Sequence, residues 1–321
     1  MLASVRALLS GIIDYAGMFP PAKLPLDQAI RNYARYRTEP ESWMLGRFIC
    51  QAARLSELET FLPEMAKPPI LISTLGRGGK QFSEFYSGIQ DDLQAIVSFK
   101  KSNQRFARVD SIEVRVDDYH DYHGLLGAAE GDRRQLFPEK GNLPTFYEYV
   151  LSERNEPESE WRKEMAEFVS FLHDGFGDIG FKFRCGGLEP AAFPTSNRLA
   201  HVINRCRRDE VPLKLTAGLH HPIRHFDPGV QTVMHGFINV FAAGVLTFVN
   251  RLNEKEIQAI IEDEDPKNFV FDDEGLRWKT YRAKTAQVEA ARREFITSFG
   301  SCSFDEPRDD LRALGLIPPP H

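Results

Sequence analysis

The chain has 321 residues, 42% of them hydrophobic and 27% charged, with a formal net charge of -6 and four cysteines. This composition suits a globular protein with a large core and excludes a disulfide-stapled miniprotein or a disordered tail. The acidic balance, with no basic block or basic helical stripe, argues against nucleic acid as the main partner and points to small-molecule chemistry.

Met1 to Leu9 is apolar but runs into Asp14 and Tyr15 without a cleavage-site pattern, so a terminal helix is expected rather than a signal peptide. Short apolar segments near residues 11–15, 45–51, 69–74, 110–116, 145–150, 179–185, 211–217 and 268–272 have strand character. Amphipathic stretches separate them. Leu26, Ala29, Ile30, Tyr33 and Ala34 share one helical face, as do Phe82, Phe85, Tyr86, Ile89 and Leu93. Met165, Phe168, Val169 and Leu172 form a third stripe, and Leu199, Val202, Ile203 and Cys206 a fourth. The longest apolar run, Phe237 to Val249, is broken by Asn239 and Gly244 and falls short of the roughly 20 residues that cross a bilayer.

Eight such alternations predict a (β/α)8 barrel of the TIM type, a single domain over 1–321 with a last helix at 279–299 and a Pro-rich tail at 300–321. Residues 117–144 are rich in Asp, Gly, Tyr and His without a clean helical stripe, and an insertion or lid is expected there. Cys50, Cys185, Cys206 and Cys302 form no CxxC pair, which fits a reducing cytoplasm.

The strongest functional signal is charge alternating with apolar residues in Ile112-Glu113-Val114-Arg115-Val116, Phe181-Lys182-Phe183-Arg184-Cys185 and Leu213-Lys214-Leu215-Thr216. Successive strand residues point to opposite faces, so if the apolar face lies under helices the charged face lines a polar interior. Glu113, Arg115, Glu148, Lys182, Arg184, Lys214 and Thr216 would then crowd one arc, with Asp14 and Asp272 on other strands. Two carboxylates facing four cations predict a positively biased wall and a small anionic metabolite as ligand. Lys182 and Lys214 at matching depth would lower each other's pKa, making one a nucleophile. Glu113 or Glu148 would be base or lysine partner, and Arg115 and Arg184 would grip a carboxylate or phosphate. The bland alternative is a structural ion-pair plug.

Two lysines on the sixth and seventh strands resemble the class I aldolases of the deoxyribose-phosphate aldolase type, whose Schiff-base lysine lies on the sixth strand with a second lysine on the seventh. The resemblance covers those two strands. It implies a Schiff-base role for Lys182, although that family continues Lys-Thr-Ser-Thr-Gly where this chain has Lys182-Phe183-Arg184-Cys185-Gly186-Gly187.

Leu75-Gly76-Arg77-Gly78-Gly79-Lys80 is a glycine-rich cationic loop whose amides could cradle an anion, although it lacks P-loop spacing; Gly186-Gly187 could do the same. Asp14 opens a loop with an apolar remainder, Ala16 to Ala22, where it would hold a substrate hydroxyl. After the seventh strand come His220, His221, His225 and His235. His220 or His221 would shuttle protons, and His235 would contact substrate. A divalent metal on these histidines is the minority alternative, because no carboxylate keeps standard ligand spacing with the adjacent His220 and His221. No other cofactor is indicated, and a homo-oligomer remains open. Three functions follow: lyase or isomerase chemistry on an anionic carbonyl or hydroxy acid, metal-dependent hydrolysis or lysis, or a non-catalytic barrel binding an anionic metabolite.

Overall fold

The protein is described by a computed structural model covering residues 1–65, 68–78, 82–117, 119–138, 143–149, 157–175 and 179–319. Its strands are β1 Ile13–Tyr15, β2 Leu45–Gln51, β3 Ile70–Leu75, β4 Ala107–Val116, β5 Thr145–Tyr149, β6 Ile179–Arg184, β7 Leu213–Thr216, β8 His225–Asp227, β9 Thr232–Met234, β10 Phe269–Phe271, β11 Gly275–Trp278, β12 Tyr281–Lys284 and β13 Ile296–Ser301. The α-helices are α1 Ala3–Leu9, α2 Leu26–Tyr36, α3 Leu55–Leu58, α4 Phe82–Asn103, α5 Tyr119–Leu136, α6 Glu158–Gly175, α7 Ser196–Arg208, α8 Phe237–Asn250, α9 Glu254–Ile261, α10 Thr285–Glu294 and α11 Asp305–Ala313.

Eight parallel strands close a barrel in the order β1-β13-β7-β6-β5-β4-β3-β2, confirming the (β/α)8 architecture. The strand alternation works as the sequence predicts. Phe181 on β6 packs edge-on against Phe168 of α6, ring centroids 5.6 Å apart, while its neighbour Lys182 turns to the interior. None of the described helices is long and apolar enough to cross a membrane.

The eighth strand differs from expectation. Residues 269–271 pair with β11 in a three-stranded antiparallel sheet, β10-β11-β12, outside the barrel. Asp272 is exposed and accepts backbone bonds from Glu274 and Gly275 in a turn, so it is no part of the interior. The barrel is closed instead by β13, which runs from the end of the stretch expected as one helix, 279–299, into the start of the expected tail. Only Phe295 separates α10 from β13, and β13 turns small residues inward: Ser298 donates to Asp14, 2.7 Å. Arg292 holds the junction, donating to the carbonyls of Leu8, Ser10 and Ile296.

The stretch expected as a lid also differs. Residues 119–136 form α5, an ordinary crossover helix, and the remainder through 142 lies partly outside the described residues. Its inward stripe, Leu126, Ala129, Glu130, Arg133 and then Phe137, has helical spacing but carries a buried ion pair in the middle. Arg133 Nε donates to Glu130 Oε2 at 2.6 Å and Nη1 to the Leu143 carbonyl at 2.9 Å, while Tyr147 of β5 donates to Glu130 Oε1 at 2.8 Å. These contacts satisfy charges that would otherwise cost several kcal/mol to bury. The tail carries a helix, α11, which packs Leu311 and Arg308 inward and ties Arg308 to Glu39 and Glu41.

Candidate active site

The interior of the barrel is a chain of alternating charges. Starting at the N-terminal end of the strands, Arg108 meets Asp110 at 3.0 Å and Asp110 meets Arg47 at 2.8 Å. Arg47 reaches Asp14 at 3.8 Å and donates its amide to the same carboxylate at 2.6 Å. Asp14 accepts from Lys214, which bonds Glu113 at 2.7 Å; Glu113 meets Lys182 at 2.7 Å. Lys182 meets Glu148 at 2.8 Å, and Arg184 closes on Glu148 Oε1 through Nε and Nη2 at 3.1 and 2.8 Å. Parallel register explains the order, since Lys182 lies opposite both Glu148 and Lys214, and Arg115 opposite Glu148. Ser73 of β3 adds a bond to Glu113, itself steadied by Ser111 at 2.8 Å.

The upper end of this chain opens into a cavity of about 480 Å³ at the C-terminal ends of the strands. Glu113, Glu148, Lys182 and Arg184 line its floor, Arg77, Arg115, Thr216, Gly187 and His220 its sides, and Ala16, Phe19, Pro20 and Pro21 of the β1–α2 loop make an apolar wall. Cys302 lines it too, its thiol pKa raised by burial.

The charge states follow from the pairing. Burial alone would lower the Lys182 pKa, but Glu113 and Glu148 overcome it and push it up to about 12. Burial would raise both carboxylates; instead Lys182 and Lys214 hold Glu113 well below the ordinary range, and Lys182 and Arg184 hold Glu148 below it. The expectation of a lysine with a depressed pKa is therefore corrected for Lys182. Each ammonium sits between two carboxylates, and the interposed Glu113 outweighs lysine–lysine repulsion. The expected positive wall is corrected likewise, since Asp14 matches Lys214 and Asp117 matches Arg115 at 2.6 Å.

Several expected contacts lie elsewhere. Asp14 is fully buried below the cavity, held by Lys214, Ser298 and the Arg47 amide, and is an anchor of the chain rather than a substrate ligand. Lys214 is buried in the same layer and reaches the cavity only through Glu113. His235 is buried between the connection before α7 and the start of α8, its Nε2 donating to the Pro194 carbonyl at 2.8 Å, and it does not line the cavity. Gly186 also stands outside the lining: a Cβ there would lie 2.7 Å from the Cα of Gly218, so it lets the ends of β6 and β7 approach.

Gly78 has a φ of +62° and sits under the Arg115 carbonyl, again outside the lining. The expected amide cradle is already occupied. The Gly76 amide donates to the Glu113 carbonyl at 2.8 Å and the Arg77 amide to Asp92 at 2.7 Å, while the Arg77 guanidinium is tied to Asp91 and Asp92. Gly79 and Lys80 lie outside the described residues.

His220 stands at the cavity rim with Nδ1 3.1 Å from Glu306, while His221 lies in the adjoining rim cavity with Nδ1 2.6 Å from Asp310. Sequence reasoning missed the α11 carboxylates behind both histidines, and Asp110 and Arg47 at the other end of the chain. The odd-position polar residues of β2, Arg47 and Gln51, were the available signal for Arg47.

No protein-family model matches the chain, and no curated protein does. Among solved structures it is similar to two of a "putative deoxyribose-phosphate aldolase" from Toxoplasma gondii ME49. One is 10% identical with a TM-score of 0.38, covering 97% of this chain and 95% of that one. The other, an apo-form, is 11% identical with a TM-score of 0.39, covering 97% and 98%. At TM-scores this low the likeness carries no argument, and function has to be argued from the cavity.

Proposed function

We propose that the protein is a lyase or isomerase acting on a small anionic carbonyl or hydroxy-acid compound, with Lys182 at the reacting centre. The observation that carries this reading is how the charge chain ends. Lys182, Lys214 and Arg47 each meet two carboxylates, whereas Arg184, at the cavity, meets Glu148 alone among the described residues. The next member of the alternation would be an anion supplied by the substrate, held by the planar guanidinium through paired hydrogen bonds.

With its carboxylate or phosphate on Arg184, and Arg115 beside it at the rim, a compact substrate places its carbonyl oxygen near Lys182. The ammonium, kept charged, stabilises negative charge developing on that oxygen in a partly desolvated site. Glu148, kept ionised, is the group able to accept a proton from the adjacent carbon, and His220 with Glu306 exchanges protons with solvent. The apolar β1–α2 wall excludes water from the opposite side.

Lys182 and Lys214 standing in register on β6 and β7 suggest a second, covalent reading, against which the raised Lys182 pKa weighs. There Lys182 first passes a proton to Glu113 or Glu148, and the free amine condenses with the carbonyl to an imine with loss of water. One experiment separates the readings. Purified protein is incubated with a panel of 2-oxo acids, hydroxy acids and phosphorylated aldehydes, with and without cyanoborohydride. Turnover abolished in Lys182→Met without a reduced adduct supports the electrostatic role; an adduct mapped to Lys182 supports the imine. Binding without turnover throughout the panel favours the non-catalytic barrel, and turnover retained in Lys182→Met sinks both enzymatic readings.

A further inference from the structure

The β7–α8 connection carries a second constellation, outside the charge chain. One ligand atom from each of His221, His225 and Asp227 lies within 4.8 Å of the other two. The backbone brings them together in two ways. Alternation along β8 puts His225 and Asp227 on one side of the strand, with Phe226, 56% exposed, on the other. The turn before β8 then folds His221 back so that its ring meets His225 edge-on, centroids 4.5 Å apart.

Each of the three is already oriented by a hydrogen bond at one of its two polar atoms. His221 Nδ1 donates to Asp310 Oδ2 at 2.6 Å, and His225 Nδ1 to the Ile223 carbonyl at 3.1 Å, which leaves Nε2 of both rings bare. Asp227 Oδ1 accepts from the Gly229 and Val230 amides at 2.7 and 2.8 Å, which leaves Oδ2. Imidazoles held by a carboxylate or carbonyl at one nitrogen, and so presenting the other, are the usual outer-shell arrangement of metal-binding histidines. Glu306 Oε1 stands 4.0 Å from His221 Nε2 as a further oxygen donor.

We propose that His221, His225 and Asp227 form a site for a divalent first-row transition ion. Two neutral imidazoles and one carboxylate suit Zn²⁺, Co²⁺ or Fe²⁺ and disfavour Ca²⁺ and Mg²⁺, which demand oxygen. Metal–ligand bonds of about 2.1 Å place ligand atoms about 3.4 Å apart in a tetrahedral site, so binding draws the three together by roughly an ångström. His221, Asp227 and Glu306 line a rim cavity of about 590 Å³, leaving room for water or a ligand on the remaining positions. That cavity adjoins the charged one, sharing His220 and Cys302 with it.

The test uses full-length protein freed of metal by chelator dialysis and titrated with Co²⁺, read by its visible absorption and competed with Zn²⁺. One saturable equivalent displaced by Zn²⁺ is expected. His225→Ala and Asp227→Asn should each weaken it at least about 100-fold, and His173→Ala on α6 should leave it unchanged. If His225→Ala fails to fold by circular dichroism, the near-isosteric Asp227→Asn carries the test. A second readout is thermal: Zn²⁺ should raise the melting temperature of the parent protein and not of Asp227→Asn. No saturable binding, or binding at parental affinity in Asp227→Asn, overturns the proposal.

Discussion

Two sets of buried charges, one under a helix and one inside the barrel, do different work. Between α5 and β5, Glu130 and Arg133 form a buried pair that Tyr147 and the Leu143 carbonyl also bond. Inside the barrel, Glu113, Lys182 and Glu148 are buried nearly as deeply, but the half-buried Arg184 opens their chain onto a cavity. Burial of charge does not by itself mark a site; a pair closed off by its neighbours differs from an open chain that ends in a group with capacity left for a ligand.

Substitution should separate the two most sharply through stability. Arg133→Met strands Glu130 and is expected to cost about 3–5 kcal/mol by urea unfolding, with Glu130→Leu added to it restoring most of the loss. A cost under about 1 kcal/mol would mean that the buried pair is not truly desolvated. Lys182→Met leaves Glu148 with Arg184 and Glu113 with Lys214, so stability should fall by only about 1–2 kcal/mol. Turnover of the substrate identified in the screen should drop about 10²–10³-fold.

The next effect is on pH. Glu113 and Glu148 have native pKa values below the ordinary 4.5, so both contribute stability above that value and lose it as pH falls through the native values. The urea midpoint should therefore decline steadily below about pH 4.5, and less steeply in Glu148→Gln. Lys182 behaves oppositely: its contribution is intact below 10.5 and is lost only as pH rises through about 12. A flat acid limb would break the picture of an ionised chain. Smallest is Arg184→Lys, expected to raise KM about tenfold with kcat little changed, since a lysine keeps the charge and loses the planar fork.

Much of this was legible from local pattern. Phe181 and Phe183 alternating with Lys182 and Arg184 announce a strand with an ionic inner face, and the same rule locates Glu113, Glu148 and Lys214. What closure of the barrel adds was not legible. Asp14 meets Lys214 across 200 positions in sequence, and no periodicity announces that. The eighth strand was obscured because its inner face, Ser298 and Gly300, lacks the contrast that marked the others and because α10 abuts it. α5 was obscured by Glu130 and Arg133 standing where apolar residues are expected. Asp227 is only two residues from His225 but six from His221, a spacing that becomes a cluster only once the chain turns back.

Gly300 gives the cavity a dimension that can be changed separately from its charges. A Cβ at this position would come within 3.1 Å of the Thr216 hydroxyl and 3.2 Å of Ile49 Cδ1, tight enough to narrow the space between them without colliding with backbone. The bore is therefore gauged by one missing methyl on the strand that closes the barrel. Which molecules fit and what is done to them are set by different residues, so selection for a new substrate can act on the former while leaving the latter alone.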